Sequence, residues 1–98
     1  MITLPKYLRV AGHVVRIKRV PGLIKDQEAF GVWHDDLLEI HIDASLVGSL
    51  AFEVLIHEMM ECVSGMCDFR LGHEVIQTTS LLLSQMLQSM FETGQQDG

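Results

Sequence analysis

Basic side chains are scarce in this chain. Seven Lys and Arg stand against thirteen Asp and Glu, for a formal net charge of −6. A phosphate-binding surface needs a concentrated positive patch. Lys6, Arg9, Arg16, Lys18 and Arg19 do lie together, but their spacing reads as the solvated face of a hairpin. Direct nucleic-acid binding is therefore not expected. Long apolar runs are also missing: no stretch approaches the roughly 20 residues that span a bilayer. The opening MITLPKYLRV lacks the apolar core of a signal peptide. The expectation is a cytoplasmic protein with no membrane partner. Cysteine is limited to Cys62 and Cys67, too few for a disulfide framework. In a reducing compartment both are expected as thiols, with Cys62 a small core residue. There is no Gly-rich phosphate loop and no nucleophile elbow.

What is present is a globular composition, 48% hydrophobic and 20% charged over 98 residues. That length bounds the chain to one domain, placed at residues 1–92, with a polar tail at 93–98 expected to be disordered.

The first half carries strand signals. YLRV and HVVRIKRV flank Ala11-Gly12, a hairpin turn. Val15, Ile17 and, less cleanly, Arg19 alternate with Val14, Arg16 and Lys18. Pro21-Gly22 ends that run, and LIKDQ reads as a connection. EAFGVWH and LLEIHID flank the turn-forming Asp35-Asp36. Leu38, Ile40 and Ile42 share one strand face and Glu39, His41 and Asp43 the other, so one face of the sheet is buried.

The second half changes period. From about Leu46 to Cys67 apolar residues recur every three to four positions, and Leu55, Met59, Cys62 and Met66 form one stripe. Ser45 or Ser49 is the expected cap. After a connection at 68–72, a second helix is expected from about His73 to Glu92. Its apolar face is Ile76, Thr79, Leu83, Met86 and Met90, broadened by Val75, Leu82 and Leu87. The expected fold class is α+β: a small antiparallel sheet of three to four strands packed against two C-terminal helices.

The chemistry concentrates in LIHEMMECV. His57 and Glu61 are four residues apart, on one helix face, so both can reach one cation. A nitrogen and a carboxylate oxygen together suit Zn²⁺. Glu58 is turned roughly 100° around the helix, beside the ion rather than on it. In H-E-x-x-H zinc peptidases that position holds the general base. Two ligands are too few for a catalytic site. The best third is His73, which opens the second helix; the neighbouring Glu74 competes with it. The plainer alternative is a helix-surface His57–Glu61 pair worth a few tenths of a kcal/mol. H-E-x-x-E alone is not decisive, since it arises in on the order of 2% of shuffled chains of this composition. His41 is expected to face solvent, His34 to belong to the Asp35-Asp36 turn, and His13 has no evident partner. A thiolate site combining His57 with Cys62 and Cys67 is the weaker metal alternative.

LIHEMME (55–61) followed by LGHEVI (71–76), with LEIHID leading in, resembles small phage and mobile-element proteins with a minimal zincin-like fold. Those look like trimmed relatives of the metallopeptidases that cleave phage-type repressors, whose pattern is usually H-E-x-x-H; here Glu61 stands in place of the second His. The resemblance implies zinc on His57, Glu61 and His73, with Glu58 as general base on the water that zinc activates. It implies a peptide or protein substrate, aligned by strand addition to a sheet edge. The other function in view is a non-catalytic zincin-like module that keeps zinc for stability or for binding a partner protein.

Overall fold

The computed structural model describes residues 3–66 and 71–96, so Cys67 and the residues that follow it up to 70 lie outside the description, as do 97–98. The element order is β1 (Tyr7–Val10), β2 (His13–Val20), α1 (Leu23–Gln27), β3 (Gly31–His34), β4 (Glu39–Asp43), α2 (Gly48–Met66) and α3 (His73–Gln96). The α+β class, with a four-stranded sheet and two C-terminal helices, is as the sequence predicts.

Strand order is β1-β2-β4-β3. β1 and β2 pair antiparallel with Val10 opposite His13, which leaves Ala11-Gly12 as a two-residue turn. Both turn residues have positive φ, 51° and 80°, as a type I′ turn requires. β3 and β4 are also antiparallel, but β2 and β4 run parallel. The sheet is therefore mixed, not wholly antiparallel as expected. The reason is that β3 and β4 dock as a unit. β4 carries Ile40 and Ile42, both with no exposed surface, and takes the central place; GVWH takes the edge. Its direction is then set by α1 and β3, which together form the crossover from β2. LIKDQ is a single helical turn, α1, bounded by left-handed Gly22 and Glu28.

One sheet face is apolar, as the alternation predicts: Val15, Ile17, Ile40 and Ile42 pack with Leu46, Ala51, Val54, Leu55 and Cys62. Each fully buried Ile contributes roughly 1.5–3 kcal/mol. The expected α2 stripe points there, with Met59 and Met66 packed at its margin. Arg19 departs from the alternation because its guanidinium donates to the carbonyls of Ala44 and Leu46, tying the end of β2 to the loop before α2.

α3 departs from expectation. It packs against α2 and not on the sheet. Its buried positions are Ile76, Ser80 and Ser84, while Val75, Leu82, Leu83, Met86 and Met90 are exposed. The serines' small volume admits close helix approach, and each hydroxyl donates to its own helix, Ser80 to the Ile76 carbonyl and Ser84 to that of Leu81. Ser64, buried in α2, accepts from the Leu71 amide at 2.8 Å and fixes where α3 starts. The helix continues to Gln96, past the end expected at Glu92. No described helix is long and apolar enough to cross a membrane.

Asp43, expected on the polar face, is buried. Its carboxylate accepts from the Ile24 amide at 2.8 Å, at the start of α1, and from the amide and hydroxyl of Ser45 at 2.8 and 2.6 Å. Ser45 is thus spent on Asp43 rather than capping α2, and Ser49 already lies inside that helix. The Ile24 amide, then Ser45, hold the Asp43 carboxyl below its ordinary range. Asp43→Ala orphans these donors and is expected to lower the melting temperature. Because Asp43 ionises more readily when folded, its stabilisation is full above the ordinary carboxylate range and fades as pH falls. Thermal melts across that range should show the wild-type advantage shrinking in acid; a constant gap would contradict this role for Asp43.

Candidate metal centre and cleft

The last strand edge, the middle of α2 and the first turn of α3 meet around His57. Residues Phe30 and Asp43 are joined by a 2.9 Å bond from the Asp43 amide to the Phe30 carbonyl. Antiparallel bonding alternates, so Gly31 and Trp33 turn their backbone groups away from β4, toward the open edge. Gly31 permits the helix to approach. A Cβ there would lie 2.8 Å from Val54 Cγ1, 3.0 Å from Glu58 Cγ and 3.2 Å from the His41 carbonyl. No other residue type fits without moving strand or helix.

This approach buries Glu58, which is only 7% exposed. Burial, reinforced by the charge of Glu61, pushes its carboxyl up to about 7, while the Trp33 backbone amide pulls the other way. His57 precedes it, half-buried on the cleft side, and Glu61 lies one turn on, also half-buried.

His73, exposed at the first position of α3, comes back over α2 as expected. Its ring lies edge-to-face with that of His57, the centroids 5.9 Å apart at 67°. Imidazoles sharing one tetrahedral zinc, each with Zn–N near 2.0 Å, have centroids about 5 Å apart. The observed centroid spacing is within about 1 Å of that value. Glu61 does not complete the set as it stands: among the described residues, no three His, Cys, Asp or Glu side chains are grouped closely enough to hold an ion. Two adjoining clefts meet at His57 and Glu58. One, of about 440 Å³, is reached by His73; the other, of about 500 Å³, by Glu61 and Trp33. Glu74, the competing donor, is exposed beside His73.

The remaining candidates stand elsewhere. Cys62 is buried in the core, where desolvation raises its thiol pKa and disfavours the thiolate a metal needs. Its proposed companion Cys67 lies outside the described residues. His41 is not simply solvent-facing: it is half-buried, its Nε2 2.9 Å from Glu39 Oε1 and its ring 4.4 Å from that of His34. Glu39 also meets Lys18 Nζ at 3.0 Å, and His41, then Lys18, keep its pKa low. His13 is exposed at the first hairpin.

Sequence reasoning passed over Gly31 and Trp33. A glycine opening an apolar strand, GVWH, was the available sign of close backbone approach. No known protein family, curated protein or solved structure matches the chain.

Gly31→Ala is expected to destabilise the protein by roughly 1–3 kcal/mol through overpacking, measured by denaturant unfolding. A neutral result would mean that strand and helix part freely there. Glu58 generates a second expectation for metal-free protein. The folded state keeps its proton to about pH 7, whereas the unfolded chain releases it near 4.5. Folded protein thus binds the extra proton between those values, and stability falls as pH rises through that window, by about 3 kcal/mol at most. Glu58→Gln should flatten the fall and melt higher than wild type at pH values above this window, in chelator; parallel pH profiles would contradict it.

Proposed function

We propose that the protein is a zinc-dependent peptidase acting on a peptide or protein substrate in the cytoplasm. The observation that carries this reading is the pairing of the His57 and His73 rings beside a buried glutamate with a carboxyl pKa near neutrality. His57, His73 and Glu61 would hold the ion. Bound there, zinc would supply Lewis acidity, both to acidify water and to offset charge on a carbonyl oxygen.

The chain's own groups account for the rest. Glu58 is the general base in this reading, and a pKa of about 7 supports its taking and returning a proton at neutral pH. It accepts the proton of the water that attacks the peptide carbonyl carbon. It then passes that proton to the amine as the carbon–nitrogen bond breaks. The free edge of β3 supports substrate alignment: the outward Gly31 backbone groups and Trp33 carbonyl can pair with an extended peptide.

A second reading, a non-catalytic zinc module that binds a partner protein, draws support from the ungrouped third donor. The two separate by experiment. Purified protein should bind one zinc. His57→Ala or His73→Ala should weaken that binding by more than about 100-fold, beyond what losing an outer-shell partner costs. Glu58→Gln should retain zinc yet lose hydrolysis of a fluorescence-quenched peptide library. Zinc-dependent melting without turnover by wild type would select the non-catalytic module, and no stoichiometric zinc after reconstitution would refute both.

A further inference from the structure

α3 presents a second apolar face that the fold leaves uncovered. Val75, Leu82, Leu83, Met86 and Met90 are 52%, 54%, 37%, 64% and 64% exposed, and Thr79 is exposed between them. Val75, Thr79, Leu82, Met86 and Met90 recur at three- and four-residue spacing, the seam by which one helix packs along another. The seam runs about 22 Å at 1.5 Å per residue. We propose that this face is the interface of a homodimer, covered by the same face of a second copy.

Charge and the exposed apolar pattern favour that occupant. From Val75 to Phe91 the helix has no ionisable side chain, so two such faces meet without like-charge repulsion despite the −6 charge of each chain. A charged partner finds no counter-charge there. A lipid surface is disfavoured because interfacial helices carry Lys and Arg on their polar side, and α3 has neither. Val75, Leu82, Leu83, Met86 and Met90, all large exposed apolar residues, lie on this one face, and a two-fold pair needs such a self-complementary patch. An isologous helix pair uses each copy's stripe twice, as donor and as receiver of the same contacts.

Sedimentation equilibrium on wild-type protein at micromolar concentration should return twice the 11.0 kDa chain mass. Leu82→Glu and Met86→Glu, each at an exposed site, should return the single-chain mass with unchanged far-ultraviolet dichroism. Val47→Glu, at a position 75% exposed outside α3, should remain dimeric. If the charged α3 variants misfold, hydrogen exchange on wild type decides: protection over 75–91 should fall on dilution, in step with the dimer fraction. A monomeric wild type overturns the proposal, and so does a dimer that survives Met86→Glu or whose dilution-sensitive protection lies elsewhere. Binding of monomer to zwitterionic phosphatidylcholine vesicles would overturn it in favour of a lipid surface.

Discussion

The close approach of α2 to β3 at Gly31 is the constraint on which the rest of the site depends. A strand and a helix usually stand off by the thickness of their side chains. Here one position has no side chain, and the helix settles until Val54 and Glu58 touch the strand backbone. Three consequences follow from that single contact. Glu58 loses water, and its carboxyl pKa rises. His57, one step around the helix, is left at the lip of the cleft. The outward backbone groups of β3 come to line the same cleft, so a buried carboxyl and an open strand edge share one wall. Ser64, through its bond to the Leu71 amide, then sets where α3 begins and brings His73 back over His57.

The carboxylates show how far environment overrides residue type. Asp43 and Glu58 are both buried, yet their pKa values move in opposite directions. Asp43 is met by amide and hydroxyl donors from two segments, so its charged form is the solvated one. Glu58 is met by apolar packing, a neighbouring carboxylate and one amide, so its neutral form is favoured. The first arrangement suits a structural pin between β4 and α1. The second suits a group that must exchange a proton. Glu39, hydrogen-bonded to His41 and ion-paired to Lys18, belongs with the first kind.

Much of this was legible in the sequence, and the failures have physical causes. The alternation of Ile40 and Ile42 with Glu39 and His41 identified the buried face, because side-chain period is local. It carried no information about strand direction, so the parallel β2–β4 pairing was not readable. The three-to-four spacing in Leu55, Met59 and Cys62 correctly located the core side of α2. The same rule misassigned α3, whose most apolar stripe faces out while Ser80 and Ser84 face in. Serine reads as polar, but a hydroxyl bonded to its own helix presents only small volume to a neighbour. His57 and His73 were legible as a pair because a short connection between helices forces the chain back on itself. Gly31 was not, since its role lies entirely in what it lacks.

α3, the longest of the described helices, presents two distinct faces. Its inner side is narrow and small, which lets it lie close on α2 and aim His73 at His57. Ser80 and Ser84 bury little apolar area themselves, and Ile76 supplies the large buried side chain of that inner side. The Ser64 bond restrains one end, and a covered outer stripe would restrain the remaining length. The seam begins at Val75, two residues beyond His73. Order along that seam and the position of the second imidazole are thus coupled mechanically through a single rigid element, whichever chemistry the cleft performs.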